Sequence, residues 1–238
     1  MDAKIEQLRR FVAESDNIVF FGGAGVSTES GIPDFRSVDG LYHQKFKYPP
    51  ETILSHHFYE THKAEFFGFY RQKMLAPDAQ PNAAHRKLAE LERAGKLKAV
   101  ITQNIDGLHQ KAGSREVLEL HGSVLRNYCE KCGKFYGLET ILHSEGVPRC
   151  SCGGTVKPDV VLYEESLDED VMDRALRYIQ SADLLIIGGT SLVVYPAAGL
   201  VRYFRGRHLV VINKGETGGR VGADLTIDGP IGEVLSQV

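Results

Sequence analysis

The sequence contains no apolar run that approaches the roughly 18 residues of a membrane-spanning helix. Its first residues, Met-Asp-Ala-Lys-Ile-Glu, include no apolar segment of the kind found in secretory signals. It also lacks the basic excess of a nucleic-acid-binding surface, since the net charge at pH 7 is −3. We therefore expect a soluble, cytoplasmic protein without nucleic-acid or membrane partners. A chain of 238 residues with 42% apolar content is long enough for one large core and a small satellite domain.

Cysteine is scarce, and all four cysteines fall in one short window, at Cys129, Cys132, Cys150 and Cys152. They form a C-x2-C pair and a C-x-C pair, and each pair can hold one edge of a tetrahedral zinc ion. Two local disulfides or four unrelated thiols are the alternatives, although a reducing cytosol disfavours disulfides. Four protein ligands close a zinc site, so we expect the ion to fold a module rather than to take part in chemistry.

The most specific local pattern is Gly-Gly-Ala-Gly-Val-Ser at residues 22–27, which follows a predicted buried strand at residues 17–21. Closely spaced glycines let backbone N–H groups approach a phosphate. The pattern is typical of the nucleotide-binding turn of a doubly wound sheet. Thr28 stands where the third glycine of the dinucleotide fingerprint belongs, and no clear acidic residue follows about 20 positions on. The sequence thus predicts a dinucleotide that is held differently from those of the usual dehydrogenases.

Strand and helix patterns alternate along the rest of the chain, which predicts a parallel sheet with helices on both faces. Helical spacing covers the N-terminus (Ile5, Leu8, Val12) and residues 57–75, 82–94 and 197–204, and it places Val171, Ala175 and Ile179 on one helix face. Strands are predicted at residues 98–102, 117–120, 160–163, 183–188, 208–213 and 224–227. The predicted class is α/β, with a doubly wound, Rossmann-like parallel sheet and a smaller domain. Residues 1–36, 76–124 and 158–238 form the large domain, while a loop and helical insertion (37–75) and a zinc-binding module (125–157) form the small one.

Polar clusters follow several of the predicted strands, where ligands bind in such sheets. They are residues 22–27, Gln103-Asn104-Ile105-Asp106, His121-Gly122, Gly189-Thr190-Ser191 and Asn213-Lys214. Gly, Thr, Ser and Asn at strand ends suit a cradle for phosphate and ribose. His121 differs from the other histidines because it ends a short strand and precedes a glycine. A histidine titrates near neutral pH and can take and return a proton there.

These residues resemble a known family, the sirtuins, which are NAD-dependent protein lysine deacylases of the silent-information-regulator type. The resemblance is carried by Gly-Ala-Gly-Val-Ser at residues 23–27, Gly-Ile-Pro-Asp-Phe-Arg at 31–36, Thr-Gln-Asn-Ile-Asp-Gly-Leu-His at 102–109 and Leu-His-Gly at 120–122. The paired cysteines, Gly-Thr-Ser-Leu at 189–192 and Ile-Asn at 212–213 fall in the family's order, so the resemblance covers nearly the whole chain. The short termini are typical of compact prokaryotic members.

The resemblance implies that NAD is a co-substrate and that zinc is structural. It implies cofactor contacts from Gly23, Ala24, Gly25, Thr28, Asp34, Phe35, Arg36, Gln103, Asn104, Ile105, Asp106, His121, Gly189, Thr190, Ser191, Asn213, Lys214 and Ile231. The catalytic residues would be His121 and Asn104. The acyl oxygen of the substrate would displace nicotinamide, and His121 would then take a proton from a ribose hydroxyl. Attack by water would then give free lysine and O-acyl-ADP-ribose.

The resemblance also implies that the acyl-lysine segment docks as an added β-strand. Its backbone partners would be residues 160–165 on one side, with contacts from Val160, Val161, Leu162 and Tyr163, and residues 192–195 on the other, with a contact from Val193. Glu164 stands where many members carry glycine, and its carboxylate either favours basic peptides or is merely solvated. Tyr70 and Lys73 match the Tyr-x-x-Arg of members that remove succinyl groups, with lysine in place of arginine. Lysine lacks the arginine fork, so we expect a preference for acetyl, unless both residues have only a core or surface role.

Two other functions remain open at this point. The same pocket could transfer ADP-ribose to protein or hydrolyse NAD, since it would activate the same glycosidic bond. The zinc module could also be a binding ribbon on an NAD-sensing scaffold. Its basic residues are balanced by acidic ones, however, which is unlike a surface that follows a phosphate backbone.

Overall fold

The computed structural model describes residues 2–35, 40–41, 46–215 and 222–238. In chain order the strands are β1 (Ile18–Gly22), β2 (Leu97–Thr102), β3 (Val117–Glu119), β4 (Gly122–Cys129), β5 (Phe135–Tyr136), β6 (Val156–Val160), β7 (Leu184–Gly188), β8 (His208–Asn213) and β9 (Leu225–Asp228). The α-helices are α1 (Asp2–Glu14), α2 (Pro50–Ile53), α3 (His56–Thr61), α4 (Lys63–Lys73), α5 (Ala83–Arg93), α6 (Leu108–Lys111), α7 (Leu138–Leu142), α8 (Glu169–Ser181) and α9 (Ile231–Leu235). Short 3-10 segments cover Ala24–Val26, Thr28–Ser30 and Ala197–Tyr203.

Six of the strands form one sheet in the order β3-β2-β1-β7-β8-β9, and every neighbouring pair is parallel. The chain moves outward from β1 to β3, then returns to β7 and moves outward to β9 on the other side. This is the doubly wound order, and its switch point lies between β1 and β7. The predicted α/β class is confirmed.

The central strands are apolar because helices cover both faces of the sheet. Every residue of β1 and β7 is buried. Successive side chains of β1 enter different cores, since Phe20 packs with Leu88 of α5 and Phe21 packs with Ile179 of α8. The bounds of the predicted strands match those of the observed strands to within a residue or two, apart from residues 160–163.

No helix among the described residues is long and apolar enough to cross a membrane.

The small domain has one core built from two separate stretches of the chain. Strand β4 pairs antiparallel with both β5 and β6, which makes a three-stranded sheet. Phe58 and Phe66 from the helical insertion pack in the same cluster as Cys129 and Val156 from the cysteine segment. This confirms a smaller domain that combines the two stretches. The exact domain boundaries stay a prediction. Strand β4 crosses the predicted boundary between residues 124 and 125, and β6 crosses the one between residues 157 and 158.

Three predicted elements differ from the observed ones. The helix expected at residues 57–75 is two helices, because His62 leaves helical geometry (φ −136°, ψ 47°) between α3 and α4. Residues 197–203 form a 3-10 helix rather than an α-helix. The strand expected at residues 160–163 ends at Val160 and belongs to the small sheet. Of the long loop expected at residues 37–50, residues 37–39 and 42–45 lie outside the described residues.

Glu164 has a structural role that neither sequence interpretation anticipated. Its backbone is left-handed (φ 75°), a conformation that glycine adopts more readily than glutamate. Its carboxylate Oε2 accepts a hydrogen bond from the backbone N–H of His57 at 2.9 Å. His57 lies in the first turn of α3, where backbone N–H groups lack helical partners. The carboxylate therefore caps α3.

Two substitutions separate the strain at Glu164 from its capping contact. Glu164→Ala keeps a side chain in the left-handed region and loses the acceptor, so we expect a loss of about 1 kcal/mol in the free energy of unfolding. Glu164→Gly also loses the acceptor, but relief of the left-handed strain returns about 1 kcal/mol. The free energies of unfolding, measured in urea, should place the glycine variant near the wild type. Equal losses in both variants would contradict the strain.

Candidate active site

A cavity of about 1300 Å³ opens at the carboxyl ends of the large sheet and continues to the small domain. Pockets for a single drug-sized ligand measure roughly 300–1,000 Å³, so this one has room for a dinucleotide and a substrate side chain. Its lining includes every described residue that the sequence assigned to cofactor contact, namely Gly23, Ala24, Gly25, Thr28, Asp34, Phe35, Gln103, Asn104, Ile105, Asp106, His121, Gly189, Thr190, Ser191, Asn213, Lys214 and Ile231. Arg36 lies outside the described residues. The individual roles of these residues stay a prediction.

Two glycine turns meet at the switch point between β1 and β7. The backbone N–H of Gly25 donates to the carbonyl oxygen of Gly189 at 2.8 Å. A Cβ on Gly25 would lie 2.8 Å from the Gly189 Cα, so no larger residue fits without movement. Gly189 is left-handed (φ 58°), and a Cβ there would lie 2.4 Å from the Val26 nitrogen. The turns are close because both lack side chains, which fits a cradle for phosphates.

A hydrogen bond ties the end of β2 to the end of β7. The Gln103 amide Nε2 donates to Thr190 Oγ1 at 3.0 Å, and the same oxygen accepts from the Leu192 N–H at 3.2 Å. The polar side chains that follow two strands are thereby fixed relative to one another.

The missing acidic residue of the dinucleotide fingerprint also has a structural reason. The insertion between β1 and β2 separates the two strands in sequence, and the residues directly after β2 are Gln103 and Asn104 instead of a carboxylate.

Ser27, Asn104 and Asp106 form a network on the cavity wall. Ser27 Oγ donates to Asp106 Oδ2 at 2.6 Å, and Asn104 Nδ2 donates to Ser27 Oγ at 3.1 Å. The other oxygen of Asp106 accepts from the Leu108 N–H at 2.9 Å. The sequence assignment omitted Ser27, which is fully buried. Its place directly after the glycine turn was the available signal.

The imidazole of His121 is held in one orientation. Its Nδ1 lies 3.0 Å from the carbonyl oxygen of Gln103. A carbonyl oxygen only accepts, so Nδ1 carries the hydrogen and Nε2 keeps its lone pair in the neutral ring. Burial lowers the pKa of His121, and the contact with Gln103 opposes part of this shift. The ring on the cavity wall is therefore suited to accept a proton near neutral pH.

The predicted peptide contacts divide into those on the cavity and those away from it. Residues 160–163 all line it, and the backbone of Val161 donates to the His121 carbonyl oxygen at 3.0 Å. Across the cavity, Val194 and Tyr195 contribute to the lining, whereas Val193 is exposed and does not. The sequence assigned residues 192–195 to this edge and named Val193 as the contact, whereas Val194 and Tyr195 are the members of that segment that line the cavity next to it.

Tyr70 and Lys73 are not brought together at the cavity. Lys73 lines it, and its ammonium lies 5.4 Å from the centre of the Phe46 ring. Tyr70 is completely buried and stacks on Phe66, with ring centroids 5.6 Å apart. Burial raises the pKa of Tyr70, since the phenolate would lack solvation. The Tyr70 ring belongs to the small-domain core, and the part of Tyr70 and Lys73 in acyl preference stays a prediction.

The four cysteines converge in the small domain. Their Sγ atoms all lie within 4.8 Å of one another. Neighbouring sulfurs are 3.5–3.7 Å apart, far beyond a disulfide bond. A zinc ion with Zn–S bonds of about 2.3 Å places its sulfurs roughly 3.8 Å apart, which matches this arrangement. Tyr136 donates its hydroxyl hydrogen to Cys150 Sγ at 3.1 Å, and such contacts stabilise a thiolate ligand. The cluster fits a structural zinc ion.

Comparison with known proteins gives consistent matches along the chain. The model of the Sir2 family matches residues 23–196. The chain is 60% identical over 239 residues to an NAD-dependent protein deacetylase of Clostridium acetobutylicum, covering 99% of this chain and 98% of that protein. It is 45% identical over 216 residues to one of Staphylococcus aureus, covering 90% and 88%.

Solved structures give the same result. A Sir2 homologue in complex with NAD has a TM-score of 0.87 at 41% identity, covering 98% of this chain and 91% of that one. A complex of Sir2 with a p53 peptide and NAD+ has a TM-score of 0.85 at 40% identity, covering 97% and 95%. From the family match, these relatives and the shared architecture, it follows that the chain belongs to the Sir2 family.

Proposed function

We propose that the protein is an NAD-dependent protein lysine deacetylase that releases nicotinamide and O-acyl-ADP-ribose. The observation that carries this function is the His121 imidazole, with its basic Nε2, between the glycine turns and the peptide edge at residues 160–163. A reaction that joins a dinucleotide to an acylated side chain needs a proton acceptor at that meeting point. The relatives named as NAD-dependent protein deacetylases support the assignment.

NAD, when bound, would supply the ribose carbon whose bond to nicotinamide breaks and which then forms a bond to the acyl oxygen. The residues that line the cavity would bind the dinucleotide and orient it. In the turns at Gly23–Gly25 and Gly189–Ser191, the N–H groups of the three glycines donate to carbonyl oxygens of the protein, so those of Ala24, Thr190 and Ser191 would bind the phosphates. Asn213, at the end of β8, would contact the adenosine ribose. Phe35, which lines the cavity and packs against the core of the small domain, would exclude water from the nicotinamide end.

His121 moves the proton. Its Nδ1–H is held by the Gln103 carbonyl, which leaves Nε2 as the atom that would take a proton from a ribose hydroxyl as that hydroxyl attacks the acyl carbon. The lowered pKa keeps the ring neutral near pH 7, in the form that accepts a proton. The Gln103 carbonyl then stabilises the protonated ring, because Nδ1–H remains a donor. The base is thus oriented and ready without rearrangement.

Asn104 and Asp106 would orient the carboxamide of the nicotinamide group. Both are fixed by Ser27, whose hydroxyl donates to Asp106 and accepts from Asn104. A rigid network of this kind loses little entropy when it binds a polar group. We assign Asn104 a catalytic role because it sets the angle at which nicotinamide leaves.

The acyl-lysine segment would add a strand between residues 160–163 and residues 193–195. Tyr163 and Tyr195 are exposed on the two sides and line the cavity, so they offer apolar surface to a peptide. This edge supports deacetylation over the alternatives, ADP-ribosyl transfer to protein and NAD hydrolysis. No observation in the described part of the chain favours either one.

We further assign the four cysteines to one zinc ion that holds the small domain. A tetrathiolate site needs reduced cysteines, which supports a location in the cytoplasm. The near balance of charge, with a net charge of −3, supports the absence of nucleic-acid and membrane partners.

The first test is mass spectrometry of an acetyl-lysine peptide incubated with the protein, with and without NAD. We expect loss of the acetyl group only with NAD, matched by O-acetyl-ADP-ribose. In His121→Ala the rate should fall at least about 100-fold, because the base is removed. His143→Ala is the control, since His143 is exposed on the small domain. Nicotinamide release without deacetylation would instead indicate transferase or hydrolase chemistry.

The second test compares matched acetyl-lysine and succinyl-lysine peptides. Lys73 is a point charge without the fork of arginine, and Tyr70 does not reach the cavity. We therefore expect kcat/KM to be about 10-fold higher for the acetyl peptide. Faster turnover of the succinyl peptide would overturn this preference.

The third test removes the metal. We expect a chelator that extracts zinc to unfold the small domain and to abolish activity indirectly, because structural zinc contributes folding energy. The midpoint of thermal unfolding should fall by about 10 °C, and added zinc should restore it. An unchanged midpoint and full activity, with zinc loss verified by elemental analysis, would refute the role.

A further inference from the structure

Arg126 binds two carboxylates, one that precedes His121 in the sequence and one that follows it. It belongs to β4, where its Nε donates to Asp159 Oδ2 at 2.7 Å and its Nη1 donates to Glu119 Oε2 at 2.6 Å. The Glu119 side chain is only 8% exposed, so this carboxylate depends on the guanidinium for its solvation. Charge-assisted bonds to one planar group also fix the distance between the two acids.

The two acids belong to different parts of the molecule. Glu119 ends β3, the edge strand of the large sheet, and lies two residues before His121. Asp159 lies in β6 of the small sheet, opposite Ser123. Arg126 therefore spans the junction between the sheets. His121 lies in the segment between Glu119 and Arg126, whose ends this contact joins.

The position of His121 depends on that junction. Its ring is bound to Gln103, after the large-sheet strand β2, while its backbone carbonyl accepts from Val161, after the small-sheet strand β6. The next residue, Gly122, is left-handed (φ 76°), and a Cβ there would lie 2.0 Å from the Asp159 carbonyl oxygen. A change in the spacing of the two sheets would therefore stretch either the ring hydrogen bond to Gln103 or the backbone hydrogen bond from Val161.

We propose that Arg126 is a positioning residue, which holds the two sheets at the spacing that keeps the His121 ring hydrogen-bonded to Gln103. Its catalytic effect rests on the proposed function of His121. Arg126, Glu119 and Asp159 are all absent from the lining of the cavity, so the effect acts through His121 and not through contact with substrate. Without the guanidinium, two carboxylates would face each other across the junction, and Glu119 would be left buried and unpaired.

The kinetic test separates two steps of the proposed reaction. Exchange of labelled nicotinamide into NAD needs only the first, reversible step, whereas deacetylation also needs the proton transfer to His121. In Arg126→Ala we expect deacetylation to fall about 10- to 100-fold, because small misplacements of a catalytic group are costly. Exchange should stay within about twofold, since no residue of the first step is changed. Arg126→Lys, with one point charge, should recover part of the loss.

A matched control is Arg174→Ala, which removes an ion pair with Glu116 at the opposite end of β3. It should change neither rate. Glu119→Gln removes one of the two charges at nearly constant volume, and it replaces Arg126→Ala if that variant does not fold. The same separation of the two rates is expected for it.

Nitrogen-15 NMR of the imidazole tests the positioning without any activity. In the wild type we expect one tautomer of His121, with hydrogen on Nδ1. In Arg126→Ala the two nitrogen shifts should move toward an average of both tautomers. A wild type that fails to deacetylate would overturn the proposed function and leave this readout valid. An unchanged tautomer, or deacetylation and exchange that fall equally, would overturn the positioning role.

Discussion

The close contact between the glycine turns that end β1 and β7 determines the geometry of the whole cavity. The two strands are neighbours at the centre of the sheet, and the chain turns in opposite directions from them. The crevice at a switch point is narrow only where the two turns carry no side chains, and Gly25 and Gly189 meet this condition. Gln103, Thr190 and the Ser27 network are then placed around a gap of fixed width. A different residue at either glycine would move all of them.

The second constraint is that His121, the proposed base, is hydrogen-bonded to both domains. Its ring hydrogen bond ends on the large domain, and its backbone hydrogen bond ends on the small one. The cofactor side and the peptide side of the cavity are therefore aligned by a short stretch of chain. The zinc cluster acts on this stretch from a distance, because Cys129 ends the strand that starts directly after His121. A metal that takes no part in the chemistry thereby supports the position of the base.

Much of the fold could be predicted, because buried parallel strands are continuous apolar runs and the polar strand ends converge on one edge. The cysteine spacing predicted the metal cluster for a similarly local reason. The break at His62 was missed because α3 and α4 both carry aromatic residues at helical spacing. The burial of Ser27 and the exposure of Val193 could not be predicted, because sequence distance does not report burial or the direction of a side chain. The capping by Glu164 depends on a left-handed backbone and a distant helix, and neither leaves a pattern in one sequence.

The strand order also affects how the chain forms during synthesis from its N-terminus. β1 lies between β2 and β7, so one of its edges is covered once residue 102 has been made, while the other waits for residue 188. Every residue of β1 is apolar or glycine and is buried in the finished fold. An open apolar edge of this kind pairs readily with other chains. While the ribosome adds residues 103 to 188, this edge of β1 is therefore open to pairing with other chains.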